Sequence, residues 1–425
     1  MKLQNHIIDE HGHIIFDGKW DMSKLETYTP EELQIIKDEA LVWSILNGSM
    51  SVSQKTMMNS IYGATANEWY YFASIEAADD VTAEGRYYIK LSEEIIMNYM
   101  KNEWHLDKEL HKHLKEHPEL KASFKDPDWR AEVKQMDLNT DYVMYMDTDS
   151  MYVTFEELFE TIGYDPQYDG SYARFIMEMN SFRLRGLFKE KIGERVAERH
   201  GENFLVFDLE SISETTCFLA KKKYVMSYKM EDDKIYDDPL KHIKGKGVEL
   251  VQQKLAVPIK DMIRFMVVQM FKGKITNVNY KTYMRYMYQQ FSQLPFQQRC
   301  TLGSANTYDK YVLNDTTRCE FASGAGADVK GMAYYNFDVN AKGLKTKYEV
   351  LKGGKLVWYY AKPTPEHPDR FSYAFHVDEY PEELAPEMDT ETQFMKLVAG
   401  PVGRIVACAG IDVGNPLASQ MMMEL

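Results

Sequence analysis

The sequence predicts an α+β protein built on an antiparallel sheet backed by helices. One observation is a pair of short β-branched, aromatic and Met-rich segments, Asp141–Met146 and Met151–Thr154. They flank Asp147-Thr148-Asp149-Ser150 and read as two strands joined by a tight acidic connection. Another is the alternation from Leu219 to Tyr228, which reads as a further strand. The last is the separation of the helical patterns, which occupy 29–62, 74–101, 170–200 and 255–295 in blocks of their own.

Composition narrows the class. The 425 residues exceed a single average domain, and 29 Tyr and 20 Phe in a chain that is 44% hydrophobic can fill a large core. A net charge of -15 argues against indiscriminate coating of nucleic acid but leaves room for a basic channel. Cys217, Cys300, Cys319 and Cys408 are scattered, without a C-x-x-C pair. They suit a reducing compartment rather than a disulfide framework or a zinc site. No apolar run reaches membrane-spanning length, and Met1–His6 has no apolar signal region.

Along the chain, His6-Ile7-Ile8 and His13-Ile14-Ile15-Phe16 suggest a small hairpin or an irregular tip. Thr29-Pro30-Glu31-Glu32 is a strong helix start, with Thr as cap, Pro first and Glu three residues later. Leu33, Ile36, Ala40, Trp43 and Leu46 continue it, and Asn47-Gly48 is expected to end it. A second helix then carries Lys55 to Tyr62. The pattern Ile75, Ala78, Val81, Tyr88, Leu91, Ile95 predicts a helix against the back of the sheet. Residues 102–137 are charge-rich, with His105, His111, His113 and His117, and read as a solvated surface insertion.

After the hairpin, Phe175, Ile176, Met179, Phe182, Leu187 and Ile192 mark a helix, and Phe204–Glu210 reads as a strand. Strand alternation would aim Lys221 and Lys223 to one side and Lys222 to the other. With Lys241, Lys244 and Lys246 these form the most basic part of the chain, suited to a phosphate backbone. Asp232–Pro239 is an acidic turn. Two helices fill 255–295, Ala325–Gly331 reads either as a plain loop or as a segment that approaches DNA through its backbone, and a last helix spans 391–410.

Two stretches carry the chemistry. In extended chain, residues two apart point the same way, so Asp147 and Asp149 are expected to project together at the hairpin crest. Paired carboxylates repel unless protonated or bridged by cations, and divalent metal is the usual solution. A plain Asx turn is the alternative for a bare D-x-D. Upstream, Lys55, Asn59 and Tyr62 fall at i, i+4, i+7 on one helical face. A cation, an amide and a ring in a row suit a nucleoside triphosphate.

These stretches resemble family B DNA polymerases. Lys55-Thr56-Met57-Met58-Asn59-Ser60-Ile61-Tyr62-Gly63 is similar to the fingers motif K-x-x-x-N-S-x-Y-G. Asp147–Ser150 matches the palm motif D-T-D-S, and Lys221-Lys222-Lys223-Tyr224 is similar to K-K-R-Y. The three stand in the family's order. The resemblance implies a family B palm with an antiparallel sheet backed by helices, partial fingers and a mostly helical thumb. The divisions would be partial fingers at 1–64, palm at 65–250, thumb at 251–410 and a clamp-binding tail at 411–425.

The resemblance also implies two Mg2+ ions, with Mn2+ as a substitute, and transfer of deoxynucleotides to a primer 3′-hydroxyl. Asp149 and Asp147 would hold the metals, in an order the sequence leaves open, with Glu210 as an accessory carboxylate. Lys55, Asn59 and Tyr62 would bind the dNTP, and Lys221, Lys222, Lys223 and Tyr224 the primer–template. Polymerases of the T-even-like bacteriophage type end in an apolar peptide that docks on the sliding clamp. Leu417, Met421, Met422 and Leu425 resemble it, although its usual aromatic anchor is missing, and a buried chain ending is the other reading. The cytoplasm of an infected bacterial host would be the location.

The family's other palm element, roughly D-x-x-S-L-Y-P, has no match. Only 54 residues precede Lys55, and Asp21-Met22-Ser23-Lys24-Leu25 lacks the L-Y-P. Phe207-Asp208-Leu209-Glu210 is similar to the F-D-x-E of the family's exonuclease but lies where palm strands belong. The expectation is the C-terminal half of a split replicative polymerase. A separate N-terminal chain would carry the exonuclease and first palm motif, and the isolated chain would be inactive. The alternative is a non-enzymatic DNA- and clamp-binding remnant, against which the joint presence of Lys55, Asp147 and Asp149 argues.

Overall fold

The computed structural model describes residues 7–8, 14–16, 20–120, 135–163, 171–201, 203, 205–344, 350, 353–378 and 383–417. The chain divides into two compact units. One takes in Met1–Trp104, Gln135–Phe155 and Lys191–Asn203, the other His105–Lys134, Glu156–Glu190 and Phe204–Leu425.

In the first unit, β1 (Ile7–Ile8), β2 (Ile14–Phe16) and β3 (Trp20–Asp21) form a small antiparallel sheet that includes the expected hairpin. α1 (Pro30–Thr65) starts at the expected capping box. Glu32 N–H donates to Thr29 Oγ1 at 3.3 Å and Thr29 N–H donates to Glu32 Oε2 at 2.8 Å. It does not stop at Asn47-Gly48 but runs as one helix to Thr65. Gly in a helix interior costs only about 1 kcal/mol, and no proline interrupts these 36 residues after the first turn. Among its described side chains only Ile36 is buried.

α2 (Ile75–Asn98) is capped by Ser74 and continues through a π-helical turn at Tyr99–Glu103. Its buried residues are Ala78, Tyr88, Ile89, Ser92 and Ile96, whereas Ile75 and Val81 face solvent. It packs against α1 and against the hairpin of β4 (Val143–Asp147) and β5 (Ser150–Val153). Trp104 and Tyr142 are fully buried, and Lys101 lies over the Tyr142 ring at 6.0 Å. Arg199 pairs with Glu84 and sits 4.5 Å from the Tyr87 ring centroid.

In the second unit, residues 105–120 are not the solvated insertion expected. α3 (Lys108–Glu116), capped by Asp107, buries Leu110, His111 and Leu114. Its neighbouring charges find partners: Arg183 meets Asp107 at 2.6 Å, and His113 and His117 meet Glu178 at 3.0 and 3.5 Å. α4 (Glu156–Thr161) and α5 (Tyr172–Met179) add Leu158, Phe159, Phe175 and Met179 to the core. α5 runs through a π-helical turn into α6 (Arg185–His200), whose residues from Lys191 onward are counted in the first unit. Phe182 is exposed and stacks on His113 at 4.4 Å, and Phe188 is buried while Leu187 is only partly so.

β6 (Ser211–Ala220) and β7 (Lys223–Glu231) form a long antiparallel hairpin. β8 (Lys234–Ile235) and β9 (Ile243–Lys246) both pair with β7. Val225 and Ile243 from this sheet join a core with α7 (Val257–Phe271) and α8 (Tyr280–Gln293). The core is closed by Phe394, Val398, Val402 and Ile405 of a final helical run. That run starts at Thr390 and includes α11 (Thr390–Phe394) and α12 (Gly400–Val406).

Residues 251–410 are not mostly helical throughout. β10 (Thr301–Ser304), β13 (Lys355–Tyr360) and β14 (Ser372–His376) form a sheet, and β11 (Val312–Asn314) pairs with β12 (Glu320–Phe321). α9 (Tyr308–Tyr311) is one turn. The stretch read as a loop, Ala325–Gly331, holds the start of α10 (Ala327–Ala341). A Cβ on Gly331 would come within 2.8 Å of the Tyr373 backbone, so this glycine lets α10 lie directly on β14. No helix among the described residues is long and apolar enough to cross a membrane.

Candidate active site

The hairpin forms where expected, and its register sets the geometry. Asp147 pairs with Ser150, which leaves Thr148 and Asp149 as a two-residue turn. Thr148 takes a left-handed φ of 61°, unusual for a β-branched residue. Its hydroxyl donates to Asp147 Oδ1 at 3.2 Å, Asp149 N–H donates to Asp147 O at 2.7 Å, and Ser150 Oγ donates to the same carbonyl at 3.1 Å. Strand alternation therefore ends at Asp147 and does not extend to Asp149. Asp147 is 7% exposed, while Asp149 stands in solvent at the tip.

Lys55, Asn59 and Tyr62 lie on the last three turns of α1 and are all exposed. The same unit holds this helix face and the Asp hairpin, and α2 packs on the elements that carry both.

The remaining residues of the sequence reading belong to the second unit. Leu205–Glu210 is not a strand: Asp208 is drawn to Asn180 at 3.0 Å and Arg185 at 3.3 Å, and Phe207 stacks on Phe188 at 5.8 Å. These side-chain contacts replace ladder pairing, and β6 begins only at Ser211. Glu210 is exposed, and its carbonyl accepts from Asp232 N–H at 3.2 Å.

The lysine run is not a continuous strand either. Ala220 pairs with Lys223, so Lys221 and Lys222 make the β6–β7 turn, with Lys222 at a φ of 61°. Lys221, Lys222 and Lys223 are exposed, whereas Tyr224 is buried, edge-on to Phe218 at 5.8 Å and beneath Lys246 at 5.9 Å. Lys244 is bound by Glu231, whose hydrogen bond raises the ammonium pKa, and Lys241 pairs with Asp238 at 3.6 Å. The turn lysines and Lys246 thus form the basic edge of the β6–β7–β9 sheet. Gly247, a residue the sequence reading passed over, touches this turn. Its only signal was a Gly-Lys-Gly run after an alternating segment.

Leu417 is partly buried against the core of α7, α8 and α12, and Met421, Met422 and Leu425 lie outside the described residues. Among the described residues, no group of three or more His, Cys, Asp or Glu side chains is arranged to hold a metal ion. Asp147 and Asp149 carry hard oxygen donors of the kind Mg2+ takes.

Residues 34–161 match the model of DNA polymerase family B. That span includes both the Lys55–Tyr62 helix face and the Asp147–Asp149 turn. The chain is also 19% identical over 407 residues to the DNA-directed DNA polymerase of Enterobacteria phage T4. The alignment covers 92% of this chain and 40% of that protein, so the chain spans less than half the length of the curated relative it matches. Both findings support a family B DNA polymerase.

Proposed function

We propose that this chain is the C-terminal, nucleotide-binding part of a split replicative DNA polymerase that adds dNTPs to a primer 3′-hydroxyl. One observation carries the reading: one unit holds Lys55, Asn59 and Tyr62 on one helix and Asp147 and Asp149 at one hairpin tip, all within the residues 34–161 that match the family model. When bound, two Mg2+ ions supply activation of the primer hydroxyl and neutralisation of the leaving pyrophosphate. Asp149, exposed at the tip, and Asp147 beneath it are the side chains of this chain that hold them. Lys55 contacts the triphosphate, Asn59 orients it, and Tyr62 packs at the nascent base pair. The exposed lysines of the β6–β7 turn meet the primer–template backbone, where contact is independent of sequence and weakened by salt.

A second polypeptide, with the exonuclease and the palm segment bearing a further Asp, completes the site. Support comes from the surface of the first unit. Leu41, Val42, Ile45, Val52, Met58 and Ile61 of α1 are exposed, and Trp69 and Tyr71 beyond it are 88% and 94% exposed. Exposed apolar side chains of this kind are what a partner surface would cover. An interface of more than ~2,000 Å2, like a domain core cut in two, would cover them. The tail beyond Leu417, which itself packs on the core, is proposed to reach a sliding clamp.

Replacing Asp149 with Asn tests the central assignment. Primer extension by the assembled enzyme should fall on the order of a hundredfold or more, because an anionic ligand is lost. Primer–template binding should stay near wild type, and retained extension would refute the metal role. Lys55→Ala should raise KM and lower kcat for all four dNTPs alike, since the phosphates are common to them. A defect limited to one dNTP would contradict the assignment. Deleting Met421–Leu425 should spare distributive synthesis and abolish stimulation by the cognate clamp. Persisting stimulation would make the tail merely structural.

A further inference from the structure

We propose that Gly247 is a positioning residue that holds the Lys221–Lys222 turn in its DNA-gripping shape; this rests on the DNA-binding reading above. The β6–β7 connection has only two residues, and Lys222 adopts a left-handed backbone. Such a turn is strained and persists only where its surroundings fix it. What lies against it is the end of β9. Lys246 is the register partner of Tyr224, and Gly247 follows with a φ of 65°. A Cβ on Gly247 would overlap the Lys222 carbonyl oxygen and approach Lys223 Cγ to 3.0 Å.

The missing side chain is therefore a contact requirement as well as a conformational one. With any Cβ at 247, the Lys222 carbonyl must move outward, and the turn lysines move with it. β9 is itself anchored, because Ile243 and Val248 on either side of the Gly-Lys-Gly run are buried. The turn, not the strand, yields. The consequence falls on polynucleotide contact, since the number of phosphates neutralised together sets both affinity and its salt dependence.

Three variants separate contact from conformation. Gly247→Ala adds a Cβ and a disfavoured φ. Gly247→Asn adds the same Cβ on a residue that tolerates this region. Gly273→Ala is the control: its φ of 64° matches, and nothing lies within 4 Å of its Cβ position. Each full-length protein is titrated with a primer–template bearing a 5′ overhang, from about 50 to about 200 mM salt, below its melting temperature.

Both Gly247 variants should bind about tenfold more weakly at low salt, with the log–log salt slope shallower by roughly one phosphate contact. Gly273→Ala should change neither, despite a similar loss of melting temperature. If Gly247→Ala does not fold, the Asn variant carries the test. Wild-type affinity and slope in the Gly247 variants, or an equal change in Gly273→Ala, would overturn the proposal. Lys221→Ala/Lys223→Ala separates the layers. If that double variant keeps the wild-type slope, the DNA reading and this inference fall together. If it flattens the slope while the Gly247 variants do not, only the inference falls.

Discussion

Because Asp147 pairs with Ser150, only Thr148 and Asp149 remain to reverse the chain between β4 and β5. Two residues suffice only when the backbone visits positive φ, and Thr148 does so at 61° despite its branched side chain. The turn is then held by its own hydrogen bonds: the Thr148 hydroxyl on the Asp147 carboxylate, and Asp149 N–H and Ser150 Oγ on the Asp147 carbonyl. One acid is thereby fixed in a buried setting and the other presented to solvent. α2 backs this hairpin and also meets α1, so the helix bearing Lys55, Asn59 and Tyr62 depends on the same support. A one-residue slip of the register would turn the Asp147 side chain to the opposite face of the hairpin.

The basic edge in the second unit follows the same logic with opposite charge. Again a two-residue connection places a non-glycine residue at positive φ, here Lys222. There the brace is external, a glycine on the neighbouring strand end. Of the six lysines between 221 and 246 that the sequence reading gathers, Lys241 and Lys244 are taken up by Asp238 and Glu231. Lys221, Lys222, Lys223 and Lys246 are all exposed, so a chain with net charge -15 still carries a local cluster of basic side chains.

Much of this was legible in the sequence where a local signal had no rival. The capping box at Thr29 and Glu32 and the hairpin at 143–153 form as read, since each rests on short-range chemistry. Other readings failed where a weak local signal met a stronger one. Asn47-Gly48 did not break α1, because one interior glycine costs only about 1 kcal/mol and no proline follows it. Phe204–Glu210 has strand-like residues, but Asp208 and Phe207 found side-chain partners. Residues 105–120 looked solvated by charge, yet Asp107 pairs with Arg183 and His113 meets Glu178 beside buried Leu110 and Leu114. The lysine run hid its turn, since three identical residues carry no period. Partnering across tens of residues, as between Gly247 and Lys222, leaves no trace in a local window.

The proposed enzyme stands on a division of labour: this chain binds nucleotide and supplies two carboxylates, and a second polypeptide supplies the rest of the palm. The direct measurement is primer extension with magnesium. It compares the purified chain alone with the chain co-expressed with a polypeptide bearing the D-x-x-S-L-Y-P element. The account predicts no extension by the chain alone, a stable complex, and robust template-directed extension by that complex. Robust extension by the single chain, or a complex that stays inactive, would contradict it.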